Sequence, residues 1–114
     1  MEEKAYHLQA DMLKALAHPT RLKILELLYD GERCVGEIEP ALGRRQANIS
    51  QHLAILRASR LVEARKEGVR MIYRITDRRV LQALDLLTTV YQSQADEARR
   101  AFATRRTAQA EAVA

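Results

Sequence analysis

Two helix-length stretches, about Val35–Leu42 and Arg45–Ala58, follow one another with only one or two residues between them, and Gly43 stands at the joint. In the first, Ile38, Ala41 and Leu42 recur at helical spacing. A glycine just past them ends a helix readily, because it adopts the left-handed backbone without steric cost. In the second, Ile49, Leu53 and Leu56 share one side of the helical wheel. Helices joined this tightly cannot lie in line. They cross, and the joint commits the chain to a helix-turn-helix.

The flanking residues extend this unit on both sides. Residues 5–17 read as a first helix with Leu8, Met12, Leu13 and Leu16 on one stripe. His18-Pro19-Thr20-Arg21 stops it and opens a second, since proline fits a first helical turn and disfavours helix in the residue before it. That helix runs to about Tyr29 with Leu22, Ile24, Leu25, Leu27 and Leu28 around much of its circumference, the pattern of a central element, and Asp30-Gly31-Glu32 turns the chain. After Ala58 the period changes from helix to strand. Residues 61–66 and 70–75 flank Glu67-Gly68-Val69, and Met71, Tyr73 and Ile75 alternate with Ile72 and Arg74. The alternation places Tyr73 inward, and Gly68 supplies the positive φ of a tight hairpin. Asp77 can cap a last helix with Val80, Leu81, Leu84, Leu87 and Tyr91 on one stripe.

The expected fold is mainly α: a winged helix-turn-helix of about five helices plus a two-stranded β-hairpin wing. Residues 1–94 form the DNA-binding and dimerisation domain, and the Ala/Arg/Thr-rich residues 95–114 form a helix extension or a mobile tail. One small winged core cannot cover the whole stripe of the last helix. A homodimer through the first and last helices is therefore expected, with Leu8, Met12, Leu81, Leu84 and Tyr91 at its interface.

The formal net charge is +4, but its distribution says more. Residues 44–79 hold 10 Lys/Arg against 3 Asp/Glu, whereas residues 1–43 are net acidic and residues 80–114 neutral. Nine of the ten are arginines, whose planar fork suits phosphate. A solvated basic face is the ordinary explanation for such a run. Here the cations fall on the two elements of a winged helix that meet nucleic acid, which favours phosphate binding. On the second helix of the pair, Ala47, Gln51 and Ala54 oppose the apolar side, flanked by Asn48, Ser50 and Ile55. Small side chains let such a helix approach a groove, and Asn and Gln pair bidentately with adenine edges. The expected contacts with double-stranded DNA are Arg44, Arg45, Gln46, Ala47, Asn48, Ser50, Gln51, His52, Lys66 and Arg70. Gln51 and Asn48 read bases, while Arg45, Lys66 and Arg70 hold phosphates.

Other classes of function find little support. No Gly-rich phosphate loop, Ser/His/Asp set or Cys/His set points to an enzyme, and no cofactor is expected. No two histidines share the spacing of a helical metal pair, and one cysteine excludes paired-thiol zinc sites and internal disulfides. No apolar run approaches the ~20 residues that span a bilayer, and the charged start Met1-Glu2-Glu3-Lys4 is unlike a signal peptide. A cytoplasmic location without membrane contact is expected. Two alternatives remain: a winged-helix protein-interaction module that does not read DNA, and a redox-responsive repressor acting through Cys34 as a thiol sensor. An interaction face would carry aromatic or Met anchors, which this one lacks.

Several stretches together resemble the ArsR family of winged-helix transcriptional repressors. They are Leu16-Ala17-His18-Pro19-Thr20-Arg21-Leu22-Lys23-Ile24-Leu25, then Gln46-Ala47-Asn48-Ile49-Ser50-Gln51-His52-Leu53-Ala54-Ile55-Leu56, then Leu61-Val62 and Ile72-Tyr73-Arg74-Ile75. The resemblance covers about residues 8–92. It implies a dimer on an imperfectly palindromic operator, relieved by a metal ion, metalloid or oxidant. The effector sites it implies are broken here. Metalloid-sensing members carry two cysteines one residue apart, and this chain has Cys34 with Gly36 in the second place. Of the zinc ligands on the last helix, Asp77 matches the first, while Arg79, Val90 and Ser93 stand at the others. No metal is therefore expected, and the effector is left open.

Overall fold

A computed structural model describes residues 2–113 of the chain. Its elements are α1 (Glu3–Leu16), α2 (Pro19–Tyr29), β1 (Arg33–Cys34), α3 (Val35–Leu42), α4 (Gln46–Ala58), β2 (Val62–Glu67), β3 (Arg70–Ile75) and α5 (Arg79–Val113). The five helices and the hairpin lie where the apolar spacing puts them. The chain forms two units, one up to Leu81 and one from Gln82 onward.

Local chemistry sets the boundaries of the first unit. α2 starts at Pro19, and His18 caps it by accepting a hydrogen bond from the Thr20 N–H at its Nδ1, 3.1 Å away. α3 ends at Gly43, whose φ of 62° places it in the left-handed region, and its N–H closes on the Glu39 carbonyl. The joint to α4 is Gly43-Arg44-Arg45, a residue longer than the spacing suggests, because Arg45 has an extended backbone as N-cap and offers no side-chain cap. The apolar sides of the crossing helices then meet: Ile24, Leu25, Ile38, Ile49, Leu53 and Leu56 are all fully buried, with Leu61 and Val62 at the entry to the sheet. Each such side chain contributes about 1.5–3 kcal/mol through its removal from water.

α4 ends in a way the residue types did not signal. Arg60 has φ 59°, the left-handed position that glycine usually fills. The Leu61 N–H returns to the Leu56 carbonyl at 2.9 Å and the Arg60 N–H to Arg57 at 3.0 Å, so these two carbonyls of the last turn are satisfied. Leu56 and Leu61, both buried, supply the apolar side of this motif. The Thr76 hydroxyl donates to the Arg60 carbonyl at 2.5 Å and holds the turn from outside.

The sheet has three strands rather than two, in the order β1-β3-β2, all antiparallel. Gly68 and Val69 alone form the hairpin turn, with Glu67 opposite Arg70. Gly68 has φ 64° while Val69 does not have a positive φ, which is the pattern of a type II′ turn. Arg33 and Cys34 pair with Tyr73 and Ile72, so Ile72 lies between Cys34 and Arg65 and is the buried residue of β3. Tyr73, expected inward, is only half-buried.

α5 begins at the cap expected of Asp77, whose carboxylate accepts the Arg79 N–H at 2.9 Å. Arg79 also grips both carboxylate oxygens through its side chain. These hydrogen bonds pull the Asp77 pKa from 3.8 down to about 2. The helix continues past Gln94 to Val113. Along it Leu87, Val90, Tyr91 and Phe102 are exposed, and on α1 so are Leu8, Met12 and Leu13. Among the described residues no helix is long and apolar enough to cross a membrane.

Candidate nucleic-acid interface

The outer side of α4 presents Ala47, Ser50, Gln51 and Ala54 to solvent, with Gln46 exposed in the first turn and Arg44 and Arg45 exposed at the joint. No acidic residue lies between Arg44 and Arg60. The surface is low, polar and positively flanked, the relief an α-helix needs to enter the roughly 12 Å major groove. Asn48 is less available than Gln51. It is half-buried, and its Oδ1 is enclosed without a hydrogen-bond partner. Bidentate reading of a base by Asn48 requires that this oxygen turn outward.

His52 does not lie on the outer side. It is only 8% exposed, and its Nδ1 accepts from Arg21 Nη1 at 3.2 Å. The His52 and His18 rings lie 4.4 Å apart between centroids. Its place on the wheel, next to Leu53 and Leu56, turns it inward, so the sequence expectation of DNA contact is corrected to a structural one. Burial, and then the nearby His18, Arg21 and Arg44, hold its pKa below 6.5. Arg21 also donates to the Ala15 and Lys14 carbonyls at 2.6 and 3.2 Å. One guanidinium thus ties the end of α1 to the recognition helix.

In the wing, Lys66 is exposed and Val69 at the tip is fully so. Arg70 is exposed but reaches back to α3: its Nη2 donates to Cys34 Sγ at 2.9 Å and to Glu37 Oε1 at 3.1 Å. The same Glu37 oxygen accepts the Cys34 N–H at 3.1 Å. That hydrogen bond, the further bond to the Cys34 side chain, and the charges of Arg70 and Arg33 lower the Glu37 pKa. Cys34 is a buried N-cap residue. A Cβ placed on Gly36 would lie 3.8 Å from its sulfur, so the missing second thiol would have stood beside the first. Among the described residues no group of three or more His, Cys, Asp or Glu side chains is placed to hold a metal ion.

Residues 18–64, which hold the capped α2, the helix-turn-helix and the start of the wing, match the family model for bacterial regulatory proteins of the arsR family. The biofilm growth-associated repressor of Xylella fastidiosa is 38% identical over 98 residues, which cover 86% of this chain and 85% of that protein. The chain belongs to the arsR family. It is a winged helix-turn-helix regulator of transcription, and solved members superpose on it. The crystal structure of Rv0081 of Mycobacterium tuberculosis aligns with a TM-score of 0.74 at 37% identity, covering 84% of this chain and 97% of that one. The solution structure of a homodimeric winged helix-turn-helix DNA-binding domain from Mycobacterium bovis gives 0.72 at 37% identity, covering 85% and 92%.

Proposed function

We propose that this arsR-family chain is a repressor that binds a palindromic operator in double-stranded DNA as a homodimer, in the cytoplasm and without a cofactor. The observation that carries the reading is the outer face of α4: small and polar side chains around Gln51, with unpaired Arg44 and Arg45 at its head. Gln51 reads base edges, and Asn48 joins it once its oxygen swings out. Gln46, Ala47 and Ser50 line the approach, and Arg44, Arg45 and Lys66 hold phosphates. Two copies meet through α1 and α5, at Leu8, Met12, Leu81, Leu84 and Tyr91. Leu8 and Tyr91 are 60% and 70% exposed in the single chain, and leaving such apolar stripes in water is unfavourable. The relative from Mycobacterium bovis is homodimeric, which supports a dimer here.

Selection of bound duplexes from a random pool tests this. The reading expects an imperfect palindrome to be enriched, and Leu84→Glu to give monomers that lose tight binding. No enriched sequence, or tight binding by a demonstrated monomer, would sink it. A second reading, regulation through Cys34, is favoured by one contact. The sulfur packs under Arg70, so bulk added to it must displace Arg70 from Glu37. Peroxide treatment that weakens operator binding of the wild type but spares Cys34→Ser supports it; equal responses reject it.

A further inference from the structure

The β2–β3 hairpin carries four cations, Arg65, Lys66, Arg70 and Arg74, and they do not stand in equivalent places. Side chains alternate along a strand, and the register puts Glu63 opposite Arg74, Arg65 opposite Ile72 and Glu67 opposite Arg70. One face of the wing therefore holds all three arginines together with two glutamates, while Lys66 falls on the other face. Each arginine meets a carboxylate. Arg74 pairs with Glu63 at 2.6 Å, and Arg65 with Glu32 at 2.6 Å and Glu67 at 3.2 Å. Arg70 pairs with Glu37 at 3.1 Å. Two of these partners, Glu32 and Glu37, come from outside the hairpin, so the pairing is made by the fold and not only by strand register. A concavity of about 310 Å³ on this face is walled by Glu32, Glu63, Arg65 and Arg74, with Ile72 among its lining. Among the described residues, Lys66 has no acidic partner, and neither do Arg44, Arg45, Arg57 and Arg60.

We infer that the wing's arginines are neutralised by Glu32, Glu37, Glu63 and Glu67, take no part in holding DNA, and leave Lys66 as the wing's phosphate contact. The inference rests on the DNA-binding reading above and assigns these carboxylates a role in it: they set how weakly the chain holds DNA of arbitrary sequence. Non-specific affinity comes from cations that neutralise phosphates and release condensed counterions. An arginine that keeps its carboxylate offers a phosphate no net charge. One that gives the carboxylate up leaves an anion facing the phosphate backbone. Low non-specific affinity raises the ratio by which an operator stands out from other DNA.

A double-mutant cycle on Glu63 and Arg74 tests this, with binding to a random-sequence duplex measured at 50 and 200 mM salt and folding checked by thermal melts. Glu63→Gln is expected to bind more tightly, and to steepen the salt slope by about 0.9, as one added phosphate contact does. Its gain should then be about three- to fourfold larger at 50 mM than at 200 mM. Arg74→Ala leaves Glu63 unpaired and should bind no more tightly than wild type, while the double variant, which lacks the pair altogether, should fall within about twofold of wild type. No gain in Glu63→Gln, or a double variant that binds as tightly as Glu63→Gln alone, would overturn the inference; the second result would mean that Glu63 repels DNA directly and that a freed Arg74 adds nothing. A wild type that binds operator but fails these expectations leaves the DNA-binding reading standing. One that binds no duplex at all removes both.

Discussion

Arg44, Arg45, Arg57 and Arg60 flank a recognition helix without a carboxylate between the first and the last of them, whereas Arg65, Arg70 and Arg74 each lie 2.6–3.2 Å from one. The two regions look alike as a charge run, yet they differ in free positive charge. Strand alternation brings Glu63 and Glu67 to the face of their neighbouring arginines, and the fold adds Glu32 and Glu37. α4 has no acidic residue to bring. The difference teaches that a basic segment's net charge does not measure its grip on phosphate. The sharp division falls between cations that already have partners and cations that do not.

The largest effect expected from this division concerns bases rather than phosphates. Gln51→Ala should cost about 1–3 kcal/mol on the selected operator and little on random DNA, because only base contacts discriminate. An unchanged ratio between the two would move base reading away from the exposed face of α4. Next in size, Arg45→Ala and Lys66→Ala should weaken binding to every duplex alike and flatten the salt slope by about 0.9 each. Comparing Lys66→Ala with the Glu63→Gln/Arg74→Ala pair deletion breaks or sharpens the comparison directly: equal flattening by both would show that pairing in the wing counts for nothing.

Much of this architecture was legible in the residues. The glycine joint, the stripe Ile49-Leu53-Leu56 and the strand alternation about Gly68 are local signals, and the helices and hairpin follow them. β1 was not legible, because two residues are too few to show a period; the open edge of β3 calls it into being. Tyr73 is expected inward because Met71, Tyr73 and Ile75 form the more apolar alternate set of β3, whereas burial falls on Ile72, which shares its face with Arg70 and Arg74. The wheel already sets His52 beside Leu56, but its contacts with Arg21 and His18 and the enclosed Oδ1 of Asn48 are tertiary features that the wheel of a single helix does not show. One of the wing's pairs could have been found by folding the sequence about Gly68 and Val69, which sets Glu63 opposite Arg74, and another, Arg65 with Glu67, from their two-residue spacing on one strand. The partners Glu32 and Glu37 could not, since only tertiary structure brings them near.

Arg60 separates stability from binding within one residue. A non-glycine residue in the left-handed region is disfavoured by contact of its Cβ with the backbone, and glycine is the usual solution at this helix end. Arg60→Gly should therefore raise folding stability, by about 0.5–1 kcal/mol once the added freedom of the unfolded chain is offset. The same change removes one of the cations without a carboxylate partner, so DNA binding should weaken. A denaturant melt and a salt titration on one variant read both quantities. If stability rises and affinity does not fall, Arg60 lies outside the phosphate-binding set and the comparison loses a member.

The smallest effect concerns the anchor of α4. Arg21 can only donate, so the His52 Nδ1 it meets must carry a lone pair, and the ring is neutral. Protonation would break that bond and place a cation beside Arg21, Arg44 and His18. Folding accordingly holds the His52 pKa below 6.5, through burial first and those neighbours second. Between 6.5 and this lower folded value the unfolded chain binds more protons than the folded one, so stability falls as pH drops through that window and is unaffected above it. Asp77 acts in a separate window, between 3.8 and about 2, where its Arg79 bonds are lost on acidification. His52→Asn leaves an acceptor near the Nδ1 position and removes the titrating ring. Thermal melts from pH 7.5 to 5 should show a decline in the wild type that is shallower in His52→Asn, with the two curves parallel above 6.5. Parallel curves over the whole range would mean that the proton enters elsewhere, and that Arg21 holds the recognition helix in a way the charge on His52 does not govern.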